Sequence, residues 1–282
     1  MPGTLYVVAT PIGNLSDITL RALQTLKEVD LIAAEDTRVT HHLLEHYDIH
    51  TPTTPYHQHS LGRKAEALIG RLKSGKDVAL VSDAGTPGIS DPGHEIITLA
   101  IAADIPIVAI PGPNAIITAL VVSGLPTRWF VFDGFPPRRS HERKTYLASL
   151  AQEQRTMVFY ESPHRLLSSL KDMQAIWGDR QIAVIREATK VFEEVHRGTI
   201  SSAIERFTET APRGEFTLVV SGLTAEPEET PADQVEAALR RLLEEGLSER
   251  DAVRAASSMC DLSKREVYQI MLRMKGEISD EE

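Results

Sequence analysis

The sequence predicts an α/β protein of two domains, built on a mostly parallel sheet, with a three-helix segment after them. Three observations carry this. Short apolar runs that break into Gly/Pro-rich loops alternate with segments of helical periodicity, the pattern of repeated βα units. Three of these loops, at residues 10–14, 86–93 and 111–115, each directly follow a strand, which places them at corresponding ends of one sheet. That edge is where open α/β sheets bind ligands. Finally, an acidic, proline-bearing stretch at 225–230 (AEPEET) separates these units from three short helix-patterned segments.

Residues 5–9 (LYVVA) read as the first strand, stopped by Pro11 and Gly13. Asp17 then precedes a helix in which Ile18, Leu23, Leu26 and Val29 share one face. Leu31–Ala34 is a second strand, ending in Glu35, Asp36, Thr37 and Arg38. Ionisable groups at a strand end are costly to bury unless paired, so this tetrad is either a salt-bridged turn or part of a site. A helix over 39–47 and an exposed polar loop, TPTTPYHQHS, come next. A polar helix over 63–74 leads to Val78–Val81, whose continuous apolar run fits a strand covered on both faces.

The loop after that strand cannot continue it. Pro87 and Pro92 lack donors, and Gly85, Gly88 and Gly93 admit dihedrals that other residues avoid. It carries Asp83 and Asp91 and no Lys or Arg, which opposes a polyphosphate and suits a cationic or hydroxyl-rich ligand. A helix over 95–103, a strand over 105–110 and an apolar helix over 116–122 complete the first domain, residues 1–126.

Residues 133–137 (DGFPP) read as a hinge. Strands over 157–160, 182–186, 191–196 and 216–220, with helices over 166–175 and 202–209, make a second α/β domain at 127–224. Helices over 231–245, 248–259 and 263–274 form the last segment, 231–276, resembling a helix-turn-helix module. Ser248 with Asp251 and Ser263 with Glu266 have capping-box spacing. Lys264, Arg265, Arg273 and Lys275 suit phosphate, while packing or dimerisation explains the segment equally well.

Composition narrows the function. The net charge of -10 gives no general attraction to nucleic acid, so such a partner needs a local patch. One exists: Arg138, Arg139, His141, Arg143 and Lys144 form the densest basic cluster of the chain. Its bland reading is a solvated helix start. The single cysteine, Cys260, excludes an internal disulfide, and no apolar run is long enough to cross a membrane, so a cytoplasmic location is expected. No GxGxxG, GxxxxGK[ST] or GxSxG motif occurs. The pattern His42-x-x-Glu45-His46 matches inverted zinc peptidases and keeps a zinc hydrolase open as an alternative, against a solvated helix face.

More specific are the segments TPIGNLSDITLRAL, AAEDTR, SDAGTPGISDPG, PGPNAIITAL, SGLP, FYESPHR, REATKVFEE and GEFTLVV, in this order. Together they resemble the ribosomal RNA small subunit methyltransferase I family, within the tetrapyrrole methylase-like, class III methyltransferases. The resemblance implies a two-domain tetrapyrrole methylase-like fold with S-adenosylmethionine in the interdomain cleft, and a homodimer. It implies 2'-O-methylation of a cytidine in the decoding region of 16S rRNA, on free rRNA or the small ribosomal subunit; a methylase of the same fold acting on a tetrapyrrole is the near alternative. By position, Gly85, Thr86, Pro87, Ile89 and Ser90 match the group's GDPxxxS-like loop, with Thr86 where relatives carry Asp and Asp83 as the substitute carboxylate. Pro11, Asn114, Ala115, Tyr160 and Thr217 fall in the other cofactor segments. Asp36 is the expected base, with Arg38 orienting it or holding a phosphate and Glu35 as the alternate. Arg138, Arg139, Arg143 and Lys144 are the expected rRNA contacts, with His164 and Arg165 as second candidates, and no metal is expected.

Overall fold

A computed structural model of the chain describes residues 1–57, 61–223, 231–260, 262–274 and 276. His59, Lys275 and the 225–230 stretch lie outside the described residues. Contacts divide the chain into two compact units, Met1–Leu223 and Thr224–Glu282.

The first unit holds two five-stranded sheets. Strands β1 (Leu5–Val8), β2 (Leu31–Ala34), β3 (Thr53–Pro55), β4 (Val78–Val81) and β5 (Ile107–Ile110) form the first, in the order β3-β2-β4-β1-β5. Every pairing in it is parallel, with Leu5 opposite both Val78 and Ile107. Parallel pairing demands covered faces, and the helices supply them. α1 (Leu20–Glu28) and α2 (Thr37–His46) bury Ala22, Leu26, Leu43 and Leu44 against Val8, Ile32, Ala79 and Val81. On the opposite face, α3 (Leu61–Lys73) and α4 (His94–Ala102) bury Ala65, Leu68, Ile96 and Ala100 against Leu5, Ala33, Val78 and Leu80. Alternate residues of β4 thus serve opposite cores, as strand pleating requires.

β6 (Phe130–Phe132), β7 (Thr156–Glu161), β8 (Gln181–Arg186), β9 (Glu194–Thr199) and β10 (Phe216–Val220) form the second sheet, ordered β6-β7-β10-β8-β9. Only β6 and β7 pair in parallel; the other pairings are antiparallel. α6 (Ser140–Ser149), α7 (Leu166–Trp177) and α8 (Ile200–Glu209) cover one face through Leu147, Leu170, Trp177 and Phe207. The other face is covered by α5 (Ala115–Ser123), which follows β5 of the first sheet: Ile116, Ala119 and Leu120 pack on Val158, Ala183, Ile185 and Val219. An apolar helix that starts in one sheet and buries its face on the other ties both into one unit.

Three local expectations are corrected. The polar stretch after residue 50 contains the edge strand β3, and β6 precedes the expected hinge. The strand expected over 191–196 begins only at Glu194, because Glu187 and Thr189 take positive φ (50° and 67°) and turn the chain outward. Val191 and Phe192 therefore sit at an exposed tip.

The second unit is described by itself. α9 (Pro231–Glu244), α10 (Glu249–Met259) and α11 (Lys264–Met274) bury Val235, Leu239, Ala252, Ala256, Val267 and Met271 in a core of their own. The amide of Glu266 donates to the Ser263 hydroxyl and the Ser263 amide to the Glu266 carboxylate, a reciprocal cap on α11.

Candidate active site

The loops at the carboxyl ends of β1, β4 and β5 are stitched to one another. Thr10 and Gly85 exchange backbone hydrogen bonds of 2.9 and 3.0 Å, and the Thr10 hydroxyl donates to the Ser82 carbonyl at 3.1 Å. A side chain on Gly93 would meet the Gly88 amide at 2.9 Å, so the β4 loop closes on itself only with glycine there. Ser90 holds a left-handed φ of 61° within that loop, a conformation a non-glycine residue adopts only where its surroundings impose it. Asn114 caps α5 through its Oδ1, accepting from Ile116 and Ile117, while its amide nitrogen donates to Thr86 Oγ1 at 3.4 Å.

Between these loops and the second sheet lies a cavity of about 370 Å³. That volume falls in the usual range for small-molecule sites. From the first sheet come Ile12, Gly85, Thr86, Ile89, Ser90 and Asp91, together with Asn114 and Ala115. From the second come Phe135, Tyr160, Ile185, Glu215 and Thr217. Among the described residues no Lys, Arg or His lines it. Apolar and aromatic walls with acceptor oxygens and no cation suit a positively charged, hydroxyl-bearing ligand with a flat ring. S-adenosylmethionine has that chemistry.

Gly85, Thr86, Ile89, Ser90, Asn114, Ala115, Tyr160 and Thr217, all expected at the cofactor, are thus brought together at this cavity, while Pro11, Asp83 and Pro87 do not line it. Asp83 turns instead to the β2–α2 corner, where its Oδ1 accepts the Asp36 amide at 2.9 Å. The substitute carboxylate expected of Asp83 is therefore engaged elsewhere, and the acidic groups in the wall are Asp91, Glu161 and Glu215. Nothing in residue type separates these two aspartates; only the loop's path does. Phe135, Ile185 and Glu215 were also not expected there, because Phe135 lies in the stretch read as a hinge and the other two at unremarkable strand ends.

The tetrad after β2 forms a salt-bridged turn. Asp36 caps α2, and its Oδ2 lies 2.6 Å from Arg38 Nη2. The Arg38 guanidinium, and then the Arg38 amide, hold the Asp36 carboxyl down at about 2. So paired, Asp36 is a weaker proton acceptor than a free carboxylate. Glu35 accepts the Asp83 amide at 3.4 Å and is raised chiefly by burial, as is Asp83. Burial pushes Asp91 up to about 6, and the charges of Glu35 and Asp83 add to the rise, while a hydrogen bond from Ser82 opposes it. Tyr160 is pushed up to about 12 by burial, with the Asp91 and Glu215 charges contributing.

The basic residues divide. Arg138, Arg139, Lys144 and His164 are exposed. Arg143 is not: its side chain is 4% exposed and its Nη2 lies 2.6 Å from Asp172 Oδ2. A guanidinium so enclosed anchors α6 to α7 and is removed from the expected rRNA contacts. Arg165 likewise turns inward, to the Pro136 carbonyl and to Glu161 Oε2, and is removed with it. His42, Glu45 and His46 are exposed on α2, and among the described residues no three metal-ligating side chains converge.

The family of tetrapyrrole (corrin/porphyrin) methylases matches residues 4–204, and the RsmI C-terminal HTH domain matches residues 228–275. A ribosomal RNA small subunit methyltransferase I from a Synechocystis strain is 47% identical over 98% of this chain and 99% of its own. The chain belongs to the ribosomal RNA small subunit methyltransferase I family. A Bacillus subtilis member of that family is 46% identical over 94% of this chain and 93% of its own. Among solved structures, diphthine synthase aligns with a TM-score of 0.61 at 16% identity, covering 79% of this chain and 92% of its own. Uroporphyrin-III C-methyl transferase from Thermus thermophilus, complexed with S-adenyl homocysteine, aligns at 0.56 and 18% identity, covering 78% and 97%. Those two likenesses fix the tetrapyrrole methylase fold, while the family's own members share the helical segment as well. Among the described residues no helix is long and apolar enough to cross a membrane.

Proposed function

We propose that this chain transfers a methyl group from S-adenosylmethionine to the 2'-hydroxyl of a cytidine in the decoding region of 16S rRNA. The observation that supports this best is the cavity at the sheet edge, apolar, rich in acceptors and without a cationic side chain, in a chain of this family. Bound there, the cofactor supplies an activated methyl group on a cationic sulfur. Thr86, Ser90 and Asn114 offer polar groups to its ribose and amino acid parts, and Phe135 with Tyr160, rings 5.4 Å apart, offers a flat apolar surface. What remains for the protein is to hold the hydroxyl in line and take its proton.

The substrate side is assigned to the exposed cations. Arg38, with its side chain 89% exposed, grips a backbone phosphate, and Asp36 fixes its direction. Arg138, Arg139, Lys144 and His164 add sequence-independent hold. Binding then weakens steeply with salt through counterion release. A second copy of the chain is the expected partner, met through apolar surface on the edge strand β5 and the next helix: Val108, Ile117 and Val121 are all exposed. The protein works in the cytoplasm, where the ribosomal subunit is made.

Methyl transfer from labelled cofactor to small-subunit particles and to naked 16S rRNA, followed by mapping of the modified ribose, tests this reading. Label on a base, or none on either substrate, overturns it. Sedimentation of wild type against Val121→Asp tests the pairing, with a shift from dimer to monomer as the expected outcome.

A further inference from the structure

We infer that Phe192, at the tip of the turn between β8 and β9, is a platform on which an unpaired base of the RNA stacks at the rim of the cavity. This rests on the proposed rRNA methylation and deepens it, because it says how the substrate is held beside the methyl donor.

β7 and β8 both pair antiparallel with β10, so their carboxyl ends lie at one edge of the second sheet. That edge supplies Tyr160 and Ile185 to the cavity, and the turn leaves from it, with Ala188 still in the cavity wall. Single exposed apolar side chains are ordinary. Here two adjacent ones share a tip, Val191 at 93% and Phe192 at 71% exposure.

The tip is held from several sides. Lys190 Nζ lies 2.9 Å from Glu187 Oε1 and 2.9 Å from Glu215 Oε2, and the Glu187 amide donates to the Glu215 carbonyl at 2.9 Å. The Glu193 carboxylate accepts the Thr189 amide. A Cβ on Gly13, in the loop after β1, would meet Lys190 Cγ at 2.3 Å, so the lysine stem lies directly on a loop of the first sheet. The turn is thus braced against both sheets. Its shape is imposed: Thr189, β-branched, holds φ 67°, and its buried hydroxyl has no hydrogen-bond partner among the described residues. What this conformation secures is an aromatic ring displayed in water with little freedom left to lose on binding.

A ring so displayed suits a flat, neutral partner. The charges beside it are already matched, Lys190 with Glu187 and Glu215, and Glu194 with Arg186 and Arg206. Phosphates therefore fall to the exposed Arg38 and Arg138, and the tip is left for a base. A second copy of the chain is a poorer occupant, since a stable pairing buries about 800 Å² on each partner and a tip of two apolar residues between Lys190 and Glu193 offers a small part of that. An unpaired base needs one ring face, and bases splayed out of single-stranded RNA are held by aromatic stacking. Every base has such a face, so the contact gives grip and not sequence choice.

The test uses the full-length protein. Phe192→Ala is expected to weaken binding of naked 16S rRNA by about tenfold or more, with the salt slope unchanged because stacking releases no counterions. Phe192→Leu, apolar without a π face, is expected to lose as much, while Phe192→Tyr stays within about threefold of wild type. Phe192→Trp is expected to bind as wild type does and to show fluorescence quenching by rRNA beyond that of Trp129 and Trp177. In Phe192→Ala the urea midpoint, the sedimentation behaviour and the cofactor affinity by calorimetry stay at wild-type values, since the side chain stands in water. Normal rRNA affinity in Phe192→Ala overturns the inference, as does wild-type affinity in Phe192→Leu. A shift from dimer to monomer in Phe192→Ala also overturns it, marking the tip as a contact between copies. If wild type binds rRNA and Phe192→Trp is quenched, yet no methyl group is transferred, the methylation reading fails and the stacking contact stands. If wild type does not bind rRNA, both fall.

Discussion

Arg143 stands in the densest basic run of the chain and is nevertheless a buried residue, its guanidinium closed on Asp172. Removing one member of a buried ion pair strands the other charge. Arg143→Ala should therefore destabilise the fold by about 3–5 kcal/mol in urea unfolding. Arg138→Ala and Arg139→Ala should leave the unfolding midpoint in place and each reduce the salt slope of rRNA binding by about 1. The sequence offered all of these as equals, because charge density says where cations are and not which way a helix face turns. Asp91 carries a different cost. It is protonated in both folded and unfolded states below its ordinary 3.8, and ionised in both above about 6, where its burial penalty is complete. Stability falls as pH rises across that window. Asp91→Asn should accordingly raise the melting temperature at pH 7.5 and leave it unchanged at pH 3.5, the trade expected of a residue kept for a site rather than for stability.

Elements with two covered faces were the most legible. β2 and β4 are unbroken apolar runs, fully buried, and their predicted and observed bounds coincide. β3 was read as loop because Thr53, Thr54 and Pro55 are polar or donor-poor, which an edge strand tolerates and a central one does not. Val191 and Phe192 imitated a strand start, yet the positive φ of Thr189 puts them on a turn, a conformation that residue type alone does not announce. The start of α5 joins fold to site. Asn114→Ala removes both its cap and its bond to Thr86, so it should cost about 1 kcal/mol of stability in thermal unfolding and also weaken cofactor binding measured by calorimetry.

For the molecule as a whole, the alternation of strand and helix made the α/β class readable, but not the mixed pairing of the second sheet. Antiparallel β7, β10 and β8 are as apolar as the parallel strands, since helices cover both faces there too. Nor does the chain's order reveal that α5 crosses to the second sheet. That crossing has a testable consequence: a chain ending at Leu223 should unfold in one transition, with circular dichroism and tryptophan fluorescence coinciding, rather than sheet by sheet.

The cavity draws its walls from both sheets, so it exists only while the whole first unit is folded. A ligand seated there acts as a clasp across the unit. At a hundredfold excess over its dissociation constant it adds about 2.7 kcal/mol to the folded state. Lifetime against unfolding and proteolysis then tracks the supply of methyl donor, so a starved cell would hold fewer intact copies of the protein and a replete one more.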